Sequence, residues 1–339
     1  MFMYYFNQSL ILKWLLKLLL LFLLSSACYA SNNSIETYSP VEQWIIDRIS
    51  IVDTVNLLQY KNLNTKQIVS AKFIENLLKG KISKVKFGHR GIRLKHGIVQ
   101  SSIDLRNVNV NHEVHLVDFK FYSDVNMSET HFTKGLVLNR DTFYQDINLS
   151  GINTSRLSLN NAHFQGAVDL SHAKISGVLE ALGSLFEAKD RNISLSVNGG
   201  HFLGVLLNDS VFHKNVIFIS AHVDLNLELK RTQFINTNAF IDFSNIEIGG
   251  TAFLNGVQVN GTLYFRSIKL FSLEMYGQGQ VYYDDKNIQR RFTNPSIGVL
   301  NLGFSVINGE IEIEDSNIDN LNMESLTVGK STILKKINI

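Results

Sequence analysis

Residues 168–175 read Val-Asp-Leu-Ser-His-Ala-Lys-Ile, and residues 216–223 read Val-Ile-Phe-Ile-Ser-Ala-His-Val. Both octets have apolar residues at the first, third and eighth positions and alanine at the sixth. Two apolar residues separated by one residue favour an extended backbone, because alternate side chains of a β-strand face the same side. The octet therefore predicts a short strand, a corner and a second short strand that share one apolar core.

The third residue of the octet, which we term the anchor, recurs along the chain with a step of 11 residues, and a second apolar anchor follows five residues later. The first six anchors are Leu94, Leu105, Leu116, Met127, Leu138 and Leu149. Four such strands return the chain to its start after about 21–22 residues, and about ten coils stacked at about 4.8 Å give an all-β solenoid roughly 50 Å long. Leu138 is expected to be fully buried between Leu116 and Leu159 of the neighbouring coils.

The repeat resembles that of the pentapeptide-repeat proteins, whose unit is a small residue, a polar residue, then Leu or Phe and two more. The resemblance covers about 92–339 apart from 276–297, and two copies that carry it are Leu170 with Ala173-Lys-Ile175 and Leu159 with Ala162-His-Phe164. It implies a right-handed quadrilateral β-helix. This chain adds one residue to most pairs of pentapeptides, which predicts a bulged corner.

The N-terminal residues have the pattern of a secretory signal peptide. Residues 10–27 combine two lysines, an unbroken apolar stretch at 18–24 and a final Ser-Ser-Ala. Cys28 and Ala30 place small residues at −3 and −1, which favours cleavage after Ala30. A retained N-terminal membrane anchor and lipidation at Cys28 are the alternatives. We expect residues 1–30 to be the signal, and the protein to be exported and either periplasmic or membrane-associated.

Composition excludes several classes of protein. Hydrophobic residues make up 45% and charged residues 18% of the 339, which is typical of a globular chain rather than a disordered one. The formal net charge of +2 gives no sign of a nucleic-acid partner. The single cysteine, Cys28, lies in the predicted signal, so the exported chain has neither disulfides nor cysteine chemistry. The sequence also lacks a phosphate-binding glycine loop and a G-x-S-x-G elbow, and predicts no cofactor.

Two short helices are predicted before the solenoid. Residues 39–42 read Ser-Pro-Val-Glu, which is typical of a helix start, and residues 64–67 give a second start with Gly80 as the stop. We interpret 31–84 as a helical cap and 85–339 as the β-helix. A hairpin that binds a partner or a membrane surface is the alternative for the helices.

The repeat is interrupted at about 276–297. This insertion mixes tyrosine with arginine, which are favoured in recognition surfaces, and long insertions in compact folds are often functional. A passive loop is the alternative. The candidate recognition residues are Tyr282, Tyr283, Asp284, Asp285, Arg290 and Arg291.

Four histidines each precede a second anchor and are expected to face outward: His131, His163, His201 and His222. His201 and His222 are expected on neighbouring coils of one face. Two stacked imidazoles can bind a metal, but the spacing forces no third ligand, so the sequence predicts a solvated surface pair and no metal site.

Three aspartates occupy outward positions on scattered coils, namely Asp104, Asp169 and Asp242. Paired carboxylates for glycoside chemistry sit about 5–10 Å apart, and the spacing forces no such pair. No catalytic residue is therefore assigned.

The sequence predicts a non-catalytic exported envelope protein, a structural or binding β-helix scaffold. Its expected partner is an envelope protein or a glycan, with no nucleic acid and with membrane association through the N-terminal apolar segment. The alternative is an envelope enzyme. It would act on glycans, or it would be an oxidoreductase, a label that some members of the exported pentapeptide-repeat branch carry. The helices and residues 261–265, Gly-Thr-Leu-Tyr-Phe, resemble that branch.

Overall fold

The computed structural model describes residues 17, 37–61, 67–88, 90–238, 240–284 and 288–339. The chain divides into two compact units, 1–39 and 40–339, and every element named below lies in the second. The predicted signal at 1–30 falls outside the described residues except for Lys17. None of the helices among the described residues has the length and apolar character to cross a membrane.

The second unit is a parallel β-solenoid of about 11 turns with two short helices. Helix α1 is Pro40–Ile49 and α2 is Ala71–Leu78. In chain order the strands are β1 (Val55–Asn56), β2 (Ile92–Lys95), β3 (Ile98–Val99), β4 (Ile103–Asp104), β5 (Asn109–Val110), β6 (Val114–Val117), β7 (Lys120–Phe121), β8 (Val125–Asn126), β9 (His131–Val137), β10 (Thr142–Phe143), β11 (Ile147–Asn148), β12 (Asn153–Ser158), β13 (His163–Phe164), β14 (Val168–Asp169), β15 (Lys174–Glu180), β16 (Leu185–Phe186), β17 (Ile193–Ser196), β18 (His201–Leu206), β19 (Val211–Phe212), β20 (Asn215–Ile217), β21 (His222–Val223), β22 (Leu227–Glu228), β23 (Gln233–Phe234), β24 (Phe240–Asp242), β25 (Glu247–Phe253), β26 (Gln258–Tyr264), β27 (Lys269–Tyr276), β28 (Val281–Tyr283), β29 (Gln289–Arg291), β30 (Ser296–Asn301), β31 (Val306–Ile307), β32 (Ile311–Asn322), β33 (Thr327–Val328) and β34 (Thr332–Asn338).

Each coil has four sides, as the repeat predicts. Strand β2 pairs in parallel with β6, β3 with β7, β4 with β8 and β5 with β9. We number the faces in this order, so that β2, β3, β4 and β5 begin the first, second, third and fourth faces. The quadrilateral β-helix is confirmed, with about 11 coils in place of the expected ten.

Anchors of successive coils stack into continuous inward columns. Leu138 is fully buried, and the β6–β9 and β9–β12 registers place it between Leu116 and Leu159, as predicted. On the second face six phenylalanine rings stack with centroids 4.5–5.2 Å apart: Phe121, Phe143, Phe164, Phe186, Phe212 and Phe234. In the last coil the residues at the anchor positions are half-buried or exposed, because no described residue stacks on them: Met323, Val328, Leu334 and Ile339.

A tight turn forms the corner after each anchor on the first and third faces. The amide of Ala162 donates to the Leu159 carbonyl, and the third residue of that turn, Asn161, has φ of 55°. A positive φ at this position is the mark of a type II turn. The same conformation recurs with a step of 11 at His96, Asn107, Asp118, Glu129 and Arg140. This turn lies in the five-residue step between the two anchors. The extra residue of the predicted bulged corner falls in the six-residue step that follows, and at the corner after the fourth face the register of β12 shifts against both β9 and β15.

The two helices are joined by a buried carboxylate. Helix α1 begins at Pro40, as predicted, and Glu42 Oε1 accepts hydrogen bonds from the amide (2.9 Å) and hydroxyl (2.6 Å) of Ser70. Ser70 in turn caps α2 by accepting from the Phe73 amide at 3.1 Å. Of the predicted start at 64–67, residues 64–66 lie outside the described residues, and the helix begins only at Ala71, so the prediction that it includes Ile68 and Val69 is wrong. The chain is extended at 67–69 because it exchanges backbone hydrogen bonds with Ile98.

This helical segment covers the edge of the first coil, which fits a cap. Val55 of β1 pairs with Leu94 on the first face, and residues 67–69 pair with the second. On the third face, Glu75 Oε1 accepts from the Asp104 amide at 3.0 Å. Covering strand edges in this way prevents them from pairing with other chains.

The insertion leaves the solenoid between Tyr276 and Ser296. Strands β28 and β29 form an antiparallel pair there, with Tyr282 opposite Arg290. The coils on either side nevertheless meet directly, since Leu263 pairs with Leu300. The stack of coils therefore closes again behind the insertion.

Candidate functional site

The insertion is seated on the solenoid by stacked aromatic and guanidinium groups. The Tyr282 ring packs against Phe292 with centroids 4.7 Å apart, and Phe292 is only 6% exposed. The Arg231 guanidinium lies 4.0 Å from the Tyr282 ring centroid. Asp209 of the preceding coil holds Arg231 through two hydrogen bonds of 2.6 and 2.5 Å. Tyr282 therefore fixes the insertion rather than facing solvent.

The remaining candidate residues of the insertion divide into two groups. Asp284 accepts from Arg290 Nε at 3.1 Å and from the Ile288 amide at 2.8 Å, so it shapes the hairpin. Tyr283 is 64% exposed, and Arg290 and Arg291 are exposed too. Asp285 lies outside the described residues.

The fourth face brings His201 and His222 together, as the sequence predicts. They pair across strands β18 and β21, and their ring centroids lie 4.7 Å apart at an interplanar angle of 82°. Asp224 Oδ1 lies 3.0 Å from His201 Nε2 and 3.1 Å from His222 Nε2. Glu247 Oε2 lies 3.5 Å from His222 Nδ1. We term these four residues the histidine cluster.

Hydrogen bonds from neighbouring donors stabilise the ionised forms of the two carboxylates in the histidine cluster. The hydrogen bond from His201 is the main reason that the pKa of the Asp224 carboxyl is lowered. The pKa of Glu247 is lowered chiefly by the hydrogen bond from Lys269 Nζ, at 2.9 Å. Both carboxylates therefore remain ionised and act as acceptors at neutral pH.

Asp224 joins His201 and His222 as a third candidate ligand, and the sequence pattern did not predict it. It follows His222 by two residues, and residues i and i+2 of extended chain lie on the same side. The triplet His-Val-Asp at 222–224 was the available signal.

The three aspartates lie in one column of the third face and, as the sequence predicts, on scattered coils. Asp104 is exposed and Asp169 half-buried, but Asp242 is buried, with 5% exposure. The register runs from Asp104 through Asn126 and Asn148 to Asp169, so three strand spacings, about 14 Å, separate the two carboxylates. Asp242 lies three coils further on. This separation exceeds the about 5–10 Å of a glycosidase pair.

These carboxylates also accept hydrogen bonds from backbone amides at the corners of the coils. Asp169 Oδ1 accepts from the Ser171 amide at 2.9 Å, and Asp242 Oδ1 accepts from the Ser244 amide at 2.7 Å. Asp104 accepts from Arg106, whose side-chain hydrogen bond lowers the pKa of this carboxyl to about 2. Such Asx turns are a structural use of aspartate.

A depression of about 270 Å³ on the first face is lined by three arginines and a lysine: Arg93, Lys95, Arg140 and Arg156. Each arginine is paired with a carboxylate. The pairs are Arg93 with Glu113, Arg140 with Asp118 and Arg156 with Glu180, all within 2.9 Å. The depression is therefore close to charge balance, which argues against a strong anion site.

No family model, curated protein or solved structure matches the chain. The stacked coils are compatible with a repeat-protein family. Membership of the pentapeptide-repeat family remains a prediction from the residues.

Proposed function

We propose that the protein is a non-catalytic exported scaffold that binds an envelope protein through the hairpin of β28 and β29. The observation that carries the proposal is a pre-positioned hairpin with Tyr283, Arg290 and Arg291 exposed. Tyrosine and arginine are enriched among the residues that dominate protein interfaces. A binding element fixed in advance loses less conformational entropy on association.

The contacts of the hairpin support a role other than stability. The coils before and after it pair directly, so the stack does not need the hairpin for its continuity. The hairpin nevertheless recruits Arg231 and Asp209 from the solenoid wall. An insertion that is dispensable for stacking but held in one place is consistent with recognition.

Two further features support the rest of the proposal. Residues 10–30 have the pattern of an export signal, followed by a chain without cysteine. The outward aspartates serve as corner acceptors and are too far apart to act as a pair. A glycan-active enzyme is therefore the weaker proposal, and the oxidoreductase alternative rests on the family resemblance alone.

The first test locates the full-length product in its host by cell fractionation and N-terminal sequencing. We expect it in the envelope fraction, with Ser31 as the first residue after cleavage. A full-length chain in the cytoplasm with Met1 retained would contradict export.

The second test captures the partner from envelope membranes and measures its affinity as a purified protein. The variant Tyr283→Ala/Arg290→Ala/Arg291→Ala should weaken binding at least about tenfold, about 1.4 kcal/mol. The matched control, Tyr122→Ala/Arg106→Ala, removes an exposed tyrosine and an exposed arginine from other parts of the solenoid and should bind like the wild type. Equal binding by the triple variant would contradict the role of the hairpin. Binding that survives protease treatment of the partner but is lost after glycosidase treatment would contradict a protein partner.

A further inference from the structure

We infer that His201, His222 and Asp224 form a binding site for a divalent transition-metal cation such as Zn²⁺. The site shares no residue with the hairpin and does not depend on the proposed scaffold function. Among the described residues, these three are the group of histidine and acidic side chains whose ligand atoms all lie within 4.8 Å of one another.

The ligand atoms are already near the spacing that a metal requires. Zn–N and Zn–O distances of about 2.0–2.2 Å place neighbouring ligands of a tetrahedral site about 3.3 Å apart. Asp224 Oδ1 lies 3.0 and 3.1 Å from the two Nε2 atoms. A cation can therefore replace the two short hydrogen bonds with only small side-chain movements.

The solenoid holds two of the ligands by its backbone. His201 and His222 occupy paired positions of β18 and β21, directly before the buried Phe202 and Val223. The side chains of His201, His222 and Asp224 are 57%, 45% and 45% exposed, so a cation can reach them from solvent. The strand register thus sets the ligand spacing without a dedicated loop.

The donor set indicates which metals fit. Two imidazole nitrogens and one carboxylate oxygen suit Zn²⁺ and its first-row neighbours. Ca²⁺ and Mg²⁺ prefer sites made of oxygen. The histidine cluster is therefore selective for transition metals over the alkaline-earth cations.

Glu247 supplies the outer contact that such sites commonly have. Its Oε2 atom lies 3.5 Å from His222 Nδ1, on the ring nitrogen opposite Asp224. A carboxylate in this position favours the tautomer that leaves the Nε2 lone pair free for the metal. Lys269 fixes Glu247 from the next coil.

Three protein ligands leave a coordination position open. A depression of about 250 Å³ adjoins His201 and Asp224 and is also lined by Asn153 and Lys174. The positive charge of Lys174 opposes the cation but favours an anion as the fourth ligand. The open position of the site would face this depression.

The experiment titrates Zn²⁺ into the full chain, purified without a polyhistidine tag, by calorimetry at pH 7.5. We expect one Zn²⁺ per chain, with affinity lowered at least about 100-fold by His222→Ala and about tenfold or more by Asp224→Asn or Glu247→Gln. Co²⁺ should give the visible absorption that is typical of a four-coordinate site, and this absorption should disappear in His222→Ala.

His163→Ala is the matched control. His163 also lies on an outward strand with a carboxylate, Glu187, 3.0 Å from its Nε2 atom, but it has no second histidine beside it. This variant should bind Zn²⁺ as the wild type does. Lack of saturable binding, binding that survives His222→Ala, or an equal loss in the control each overturns the inference, provided that circular dichroism shows a folded chain.

Discussion

Two outward columns of polar residues run along the solenoid, one on the third face and one on the fourth. On the third face the side-chain oxygens of Asp and Asn bond to amides two residues ahead, as in Asn148 with Ser150 and Asp169 with Ser171. On the fourth face His201, His222 and Glu247 instead contact side chains across coils. Side chains at equivalent positions of the repeat therefore bond either to backbone amides or to other side chains. Only the contacts between side chains can be replaced by bonds to a ligand without breaking a turn.

The largest effect is expected where a charge replaces an inward residue. Leu138→Asp buries a carboxylate without a partner between Leu116 and Leu159. We expect a loss of about 4 kcal/mol or more of unfolding free energy, enough to unfold the neighbouring coils, because an uncompensated buried charge is strongly destabilising. Thermal unfolding followed by circular dichroism measures this.

Lys120→Asp is its control, since it adds a carboxylate at an exposed outward position of β7. It should change stability by less than about 0.5 kcal/mol. An equal melting temperature for Leu138→Asp and the wild type would show that Leu138 does not lie in an inward column.

A middle-sized effect is expected at Asp141, a buried carboxyl in a corner. Its Oδ1 atom accepts from the Phe119 amide at 2.7 Å, while Oδ2 has no hydrogen-bond partner among the described residues. Burial raises the pKa of Asp141 well above its ordinary value. The group therefore favours folding most below the ordinary aspartate pKa of about 3.9, and this contribution is lost as pH rises through the raised folded pKa.

Asp141→Ser should remove this pH dependence. The serine hydroxyl can replace the lost acceptor, as Ser184 Oγ does for the Ala162 amide at 3.2 Å in a similar corner. We expect a gain of about 1–3 kcal/mol at pH 8 and a smaller change at pH 4. Urea unfolding at the two pH values tests this, and an equal change at both would show that the pKa of Asp141 is not raised in the folded state.

The smallest effect is expected in the third-face column. Asp169→Ala removes the acceptor of the Ser171 amide and should cost about 0.5–1.5 kcal/mol, the usual net contribution of a hydrogen bond. His222→Ala should cost less, because its side chain is nearly half exposed and caps no backbone group. Urea unfolding of both variants compares the two columns directly, and the reverse order of stabilities would contradict their assignment.

The fold was predictable because its signal is local and repeated. Apolar residues two apart and a step of 11 gave the four-sided coil, the buried Leu138 and the bulged corner. The start of α2 was not predictable in this way, because Ser70 depends on Glu42, which is 28 residues away. Such a contact follows from tertiary packing rather than from the capping pattern at 64–67.

The site was predicted only in part for a related reason. The spacing between coils predicts that His201 and His222 are neighbours. Coils of unequal length prevent the same spacing from predicting that Asp169 and Asp242 share a column. The burial of Phe292 was also missed, since it lies outside the repeat and depends on Tyr282 and Arg231. Contacts between side chains of different coils require the register, which the local pattern does not supply wherever residues are inserted.

The stacking of each coil on its two neighbours has a consequence for how order spreads through the molecule. Energetics of this kind are nearest-neighbour, so folding can nucleate in one coil and propagate along the axis. Between Tyr276 and Ser296 the next coil can add only when the two ends of the inserted segment come together, whether or not the hairpin has formed. The entropy of closing such a loop grows only slowly with its length. Closure of the inserted segment should therefore delay the addition of the next coil only slightly, and the directly paired coils leave no weak point in the finished structure.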